Sequence, residues 1–84
     1  MGKLAILHII RKGDSFKVVL KNYVNSKLES EYVCENVKNV VVTANEPYKL
    51  RMPAGMDYRF TTIVFPEKTG KLNCGDGVEA KVLL

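Results

Sequence analysis

The stretch "KLAILHIIRKGDSFKVVLKN" (residues 3–22) consists of two apolar runs that flank a short polar turn. Along residues 3–10, apolar side chains fall on both faces of an extended chain, which is typical of a strand between layers or in a central position. Gly13 tolerates a positive φ and Asp14 can hydrogen-bond to its own backbone, so both suit a tight turn. Along residues 16–22, apolar and polar side chains alternate, as on a half-buried strand. The stretch therefore predicts an antiparallel hairpin.

Short β-branched or alternating runs, separated by Gly, Pro and Asn, continue through the rest of the chain. The expected strands cover residues 3–10, 16–22, 28–34, 37–44, 48–53, 56–65 and 78–84. A short amphipathic helix is the alternative for residues 28–34, because Leu28 and Tyr32 also fit a helical spacing. About seven strands at this spacing predict an all-β fold. The expected architecture is a small antiparallel β-sandwich, immunoglobulin-like in its strand number, with a small β-barrel as the alternative.

The length and composition of the chain limit what it can be. Its 84 residues predict a single β domain over residues 1–84. Its content of 46% hydrophobic and 26% charged residues is that of a globular chain. Apolar runs such as "AILHII" are far shorter than the ~20 residues that span a bilayer, so we expect no membrane partner. The N-terminus has no convincing signal peptide, which favours the cytoplasm while leaving the compartment open.

The chain has two cysteines, Cys34 and Cys74, and one histidine, His8. These three residues are too few for the four Cys and His ligands of a structural zinc site, and we expect neither a metal nor a cofactor. The two cysteines could form one disulfide if the fold brings them together. Because cysteine is among the most buried residue types, we expect both to be free and buried, although the sequence alone leaves the disulfide open.

The segment "NCGDG" (residues 73–77) combines a cysteine with two glycines. A phosphate site is excluded, because a β-rich run follows where such a site needs a helix N-terminus. As a nucleophile, Cys74 would need a base, and His8 is the only histidine. We interpret the segment as a tight turn and His8 as a packed residue of an apolar strand. No catalytic residue is predicted, and we expect the chain not to be an enzyme.

The acidic residues Glu29, Glu31 and Glu35 lie close together in the sequence. On a regular strand they would share a face, where carboxylates could hold a divalent cation or a basic partner. We interpret them as a solvated strand face, since such charges also protect an edge strand from pairing with other chains.

The chain is moderately basic, with a net charge of +4 and a pI near 9.2. Lys49, Arg51 and Arg59 lie on the polar faces of two consecutive expected strands, which often pair as neighbours. If these strands pair, the three cations form one basic surface, and they are the predicted binding residues. The aromatic residues alternate with these cations, so we expect them to point to the opposite face, into the core.

Two functions from different classes follow. The first is a non-enzymatic protein-interaction or assembly module on a β-sandwich, which binds a protein partner or associates with itself. The alternative is a small basic β-barrel that binds nucleic acid, with an affinity that falls steeply as salt rises. The positive charges are scattered, which predicts weak binding to nucleic acid and favours the first function.

Overall fold

A computed structural model of the chain describes residues 2–43, 50–53, 60–75 and 79–84, with the backbone alone at 50–53 and 60. Within these ranges the chain forms eight strands and no helix. The strands are β1 (Lys3–Lys12), β2 (Ser15–Val24), β3 (Lys27–Val37), β4 (Asn39–Thr43), β5 (Leu50–Pro53), β6 (Phe60–Pro66), β7 (Lys71–Cys74) and β8 (Glu79–Leu83). The prediction of an all-β chain is confirmed, and the helix considered for residues 28–34 is wrong.

The described strands form two four-stranded sheets. The first sheet has the order β3–β2–β1–β6, and all of its neighbours are antiparallel. The second sheet has the order β5–β4–β8–β7, in which β4 and β8 are parallel and the other neighbours antiparallel. The strands of these ranges do not close into a barrel, so the barrel alternative is wrong for this part of the chain.

The predicted hairpin of β1 and β2 is confirmed, and its two strands pair along their whole length. Its turn consists of Gly13 and Asp14. Gly13 has a φ of 64°, whereas the φ of Asp14 is not positive. A positive φ at the first central residue alone is the pattern of a type II′ turn, which matches the right-handed twist of the flanking strands. The Gly-Asp sequence of the turn, the turn type and the pairing of β1 with β2 are therefore consistent with one another.

A second tight hairpin joins β2 to β3, where the sequence predicted a longer loop between residues 22 and 28. The two strands continue until only Asn25 and Ser26 remain between them. These residues have φ values of 52° and 66°. Two consecutive left-handed residues are the pattern of a type I′ turn. Asn adopts this conformation readily, but Ser is an uncommon choice for it.

The register of β3 against β2 shifts at two places. The first shift lies between Ser30, opposite Asn22, and Leu28, opposite Tyr23. One extra residue of β3 at this point moves Leu28 to the opposite face from Ser30. A strict two-residue alternation, which the sequence analysis assumed, places both on one face and is wrong here.

The second shift of β3 lies between Cys34 and Val37, beside Asn36, whose φ is 56°. The alternation that would place Glu29, Glu31 and Glu35 on one face is therefore interrupted on both sides of Glu31. Among the residues that the structure describes, no three His, Cys, Asp or Glu side chains lie close enough together to hold a metal ion.

Buried apolar side chains from both sheets belong to one cluster. Phe16 and Phe65 are its largest fully buried members. The cluster comprises Ala5, Leu7, Ile9, Phe16, Val18, Leu20, Cys34, Val37 and Phe65 of the first sheet and Val40, Val42, Leu72, Ala80 and Val82 of the second. In β1 and β2 these are alternate residues, as expected for strands that turn one face toward a core.

Asn22 is a buried polar residue of β2, with 3% of its surface exposed. Its Nδ2 donates hydrogen bonds to the carbonyl oxygen of Gly70 at 2.7 Å and to the Ser30 Oγ at 2.9 Å. The backbone N–H of Gly70 donates to the Asn22 Oδ1 at 2.9 Å. The side-chain amide thus satisfies both backbone groups of Gly70, much as a neighbouring strand would, and fixes the segment that leads into β7.

Strand β7 was not predicted. It has only four residues, and Leu72 is its one buried side chain, so it shows too little alternation to be recognised. The last predicted strand, at residues 78–84, corresponds to β8. Parts of the predicted strands 37–44, 48–53 and 56–65 fall on residues 44–49 and 54–59, which lie outside the described residues.

Cys34 and Cys74 form a disulfide, with their Cα atoms 5.7 Å apart. The expectation of two free, buried cysteines is therefore wrong. Cys34 is buried in β3, and Cys74 is exposed in β7. These two strands lie at the edges of the two sheets, so the disulfide connects one sheet to the other.

Candidate interaction surface on the first sheet

The basic surface predicted over Lys49, Arg51 and Arg59 assumed that two consecutive strands pair. This assumption is wrong, because β5 pairs with β4 in the second sheet and β6 pairs with β1 in the first. Lys49 and Arg59 lie outside the described residues, and Arg51 is described only as a backbone position opposite Val41. The binding role of the three cations stays a prediction.

The two groups considered for nucleophilic chemistry have other partners. Cys74 is in the disulfide and has no thiol. The Nδ1 atom of His8 lies 3.2 Å from the Thr62 Oγ1, across the β1–β6 pair. After Cys74, the N–H of Gly75 donates to the carbonyl oxygen of Glu79 at 2.6 Å, which closes the segment between β7 and β8. Residues 76–78 of the predicted turn lie outside the described residues.

The first sheet has an outer face, which is the side turned away from the core cluster. Because Ala5, Leu7 and Ile9 of β1 belong to the core, the alternate residues of β1 lie on the outer face. The strand register then places the residues opposite them on the same face. The apolar residues of the outer face are Leu4, Ile6, Ile10, Val19, Tyr23, Leu28, Val33, Val64 and Pro66.

Several of these side chains are exposed to solvent. Leu28 is 52% exposed, Val64 48%, Val33 46% and Ile10 37%. They are four of the five large hydrophobic residues that are exposed among the described residues, and the fifth, Leu83, lies on β8 of the second sheet. Single exposed apolar residues are common on proteins, whereas several on one sheet face make that face a candidate interaction surface.

The outer face also carries polar residues, and some of them are paired. By the same register these are His8, Lys12, Ser15, Lys17, Lys21, Glu31 and Thr62. The Lys21 Nζ lies 3.9 Å from the Glu31 Oε2, with 35% and 42% of the two side chains exposed. An exposed pair of this kind contributes about 0–1 kcal/mol to stability. The pair also brings two opposite charges together on the apolar surface. This lowers the desolvation free energy that is lost when a partner covers the two side chains. Lys17 lies opposite Ile10, near one end of the face.

An open pocket of about 470 Å³ lies at the other end of the outer face. Leu4, Ile6 and Pro66 form part of its wall, while Lys3 and Glu67 contribute charged groups. Because Leu4, Ile6 and Pro66 also belong to the outer face, the pocket continues this surface and could take an apolar side chain of a partner.

Sequence reasoning missed this surface, although its main signal is visible in β1. Leu4, Ile6 and Ile10 alternate with the core residues of the same strand, so both faces of β1 are apolar. This pattern predicted a strand that lies between layers or in a central position. In the structure β1 is central within its sheet, but no described strand covers its outer face. A strand that is apolar on both faces and covered on only one leaves apolar side chains in contact with solvent.

No family model, no curated protein and no solved structure matches the chain. None of the described segments forms an apolar helix of the length that crossing a bilayer would require. A functional proposal therefore has to rest on the surface itself.

Proposed function

We propose that this chain is a non-enzymatic interaction or assembly module that binds a protein through the outer face of its first sheet. The observation that carries the proposal is the group of exposed apolar residues on that face, with Val33 and Val64 on opposite edge strands. Such residues gain about 25 cal/mol for each Å² that a partner removes from water. The partner must therefore offer a largely apolar, fairly flat surface.

The proposal includes a β-sandwich, in which the inner faces of the two sheets pack against each other. It is supported by the single core cluster, to which both sheets contribute, and by the disulfide between edge strands β3 and β7. The strand order differs from the immunoglobulin order, because β3 stays beside β2 in the first sheet, whereas the third strand of an immunoglobulin domain belongs to the second sheet. We therefore propose a sandwich of another topology.

The nucleic-acid alternative has less support. It relied on a barrel, which the described strands do not form, and on Lys49, Arg51 and Arg59, whose side chains lie outside the description. On the outer face itself, Lys21 is paired with Glu31. The two further lysines of this face, Lys12 and Lys17, lie near one end of it. A largely apolar sheet face of this kind suits a protein partner better than a phosphate backbone, which requires a larger cluster of cations.

Site-specific photo-crosslinking tests the proposal. The photoreactive residue p-benzoylphenylalanine is placed at position 64, in place of Val64, and in a second chain at position 83, in place of Leu83. Both positions are similarly exposed, at 48% and 45%, but only the first lies on the outer face. After irradiation in an extract of the source cells, we expect protein adducts from position 64 and few from position 83.

Competition identifies which adducts depend on the outer face. An excess of unlabelled chain should suppress them, whereas unlabelled Val33→Asp chain should not, because the charge would have to be buried in the interface. Adducts formed equally at both positions, or none at position 64, would show that the outer face is not an interaction surface.

A further inference from the structure

We propose that the partner on the outer face is a second copy of this chain, packed face to face so that the same surface of both copies forms the interface. This inference rests on the proposed function and names its partner. It assigns to the exposed residues of β3 and β6 a role in self-association.

The area of the face corresponds to a small specific interface between two copies. Four strands at a spacing of ~4.8 Å span roughly 19 Å. β1 pairs with β6 over seven residues and with β2 over ten. At ~3.4 Å per residue, the face is then roughly 24–34 Å long. The footprint is about 450–650 Å² on each copy, so two copies bury about 900–1,300 Å², near the ~1,000 Å² that a specific interface requires.

The composition of the face also suits a symmetric contact. The interfaces of homodimers are more apolar than those of transient complexes and are depleted of charge at their centre. The register places His8, Val19, Val33 and Thr62 across the middle of the face. The next row contains Ile6, Lys21, Glu31 and Val64, so the charges near the centre are those of one ion pair. A two-fold arrangement brings the same face of both copies together, so a largely apolar surface meets its own copy and no second kind of surface is needed.

The charges of the face predict how salt acts on the dimer. Each copy brings Lys12, Lys17 and the neutral pair of Lys21 and Glu31. The chain as a whole carries a charge of +4, so two copies repel each other at low ionic strength. Salt screens this repulsion and does not weaken apolar contacts. We therefore expect dimerisation to hold or strengthen from low to high salt, which is the opposite of nucleic-acid binding.

The experiment measures the solution mass of the full chain by sedimentation velocity and light scattering, over a range of protein concentrations at low and high salt. We expect about twice the chain mass of 9.4 kDa. Val33→Asp and Val64→Asp should each weaken the dimer at least 100-fold, because every dimer would bury two unpaired carboxylates. Leu83→Asp is the matched control, since it changes a similarly exposed residue of the second sheet and should leave the dimer intact.

Folding of each variant is checked by circular dichroism and thermal unfolding, and substitutions at such exposed positions should change stability by about 0.5 kcal/mol or less. A dimer that survives both outer-face substitutions, or that only Leu83→Asp disrupts, would overturn the inference. A wild-type chain that is monomeric at every concentration would also overturn it.

The crosslinking described above separates this failure from failure of the proposed function. A monomeric chain whose position 64 forms adducts with other proteins would keep the interaction module and exclude the second copy. A monomeric chain without adducts at position 64 would exclude both.

Discussion

Ser26 has a φ of 66°, in a region that residues with a Cβ atom rarely adopt. A left-handed conformation costs an L-residue about 1–2 kcal/mol, a strain that glycine does not feel. Asn-Gly is the preferred pair for a type I′ turn, whereas this chain has Asn25 followed by Ser26. We expect Ser26→Gly to raise the free energy of unfolding by about 0.5–1 kcal/mol after the entropy of glycine is counted. Thermal unfolding should then shift upward by several degrees.

Gly13 provides the matched control for this prediction. It has a φ of 64°, and a Cβ atom added there would meet no atom within 4 Å. Gly13→Ala therefore tests the backbone alone and should lower stability by about 1 kcal/mol. If Ser26→Gly had no effect while Gly13→Ala destabilised the chain, the left-handed conformation of Ser26 would not be a source of strain.

Asn22 is the second residue whose role can be tested by itself. Asn22→Ala leaves both backbone groups of Gly70 without the partner that satisfies them. We expect a loss of about 2–4 kcal/mol, since each unsatisfied buried group costs about 1–3 kcal/mol. Ser30→Ala removes only one hydrogen bond of the same group and should cost about 1 kcal/mol. Urea denaturation measures the free energy of unfolding of both variants. Equal losses would show that the hydrogen bonds between Asn22 and Gly70 add nothing to stability beyond the bond to Ser30.

At the scale of the strands, the disulfide connects β3 to β7 across 40 positions of sequence. In the chain-entropy model a loop of this length stabilises the folded state by about 4 kcal/mol. We expect reduction, or the double substitution Cys34→Ala and Cys74→Ala, to lower the unfolding free energy by about 2–4 kcal/mol. Denaturation of the oxidised chain, the reduced chain and the double variant measures this, and a loss under 1 kcal/mol in both would contradict it.

The same disulfide bears on the compartment in which the chain is stable. Disulfides persist in oxidising compartments and are rare in the reducing cytosol. The N-terminal sequence favoured the cytoplasm, whereas the bond between Cys34 and Cys74 leads us to expect oxidising surroundings. Trapping of free thiols in the chain isolated from its source would decide between them.

The elements differ in how far the sequence could predict them. The β1–β2 hairpin was predictable, because its alternation and its Gly13 turn are local signals. The shift of β3 at Leu28 was not, because an extra residue in one strand is defined only against its partner. The parallel pairing of β4 with β8 and the place of Cys74 beside β3 depend on contacts between distant parts of the chain, which no local pattern records.

For the whole molecule, the prediction from the sequence covered the class of function that we propose but not the outer face. It relied on Lys49, Arg51 and Arg59, because cations on neighbouring predicted strands are easy to recognise. The outer face required knowledge of which side of β1 the second sheet covers. Its exposed residues come from strands that are far apart in sequence, such as Val33 of β3 and Val64 of β6. Only the sheet order brings them onto one surface.

The arrangement of the first sheet has a consequence for how quickly its parts assemble. β1, β2 and β3 are joined by two-residue turns and need only local contacts, whereas β6 reaches β1 across pairs such as His8 and Thr62, 54 positions apart. Because local contacts close fastest, we expect the three-stranded meander to form first and to be already formed in the transition state for folding, when β6 pairs with β1. Ser26→Gly would then accelerate refolding in stopped-flow measurements with little change in the unfolding rate. Until the later strands arrive, both faces of this meander are apolar and uncovered, so refolding yield should fall as protein concentration rises.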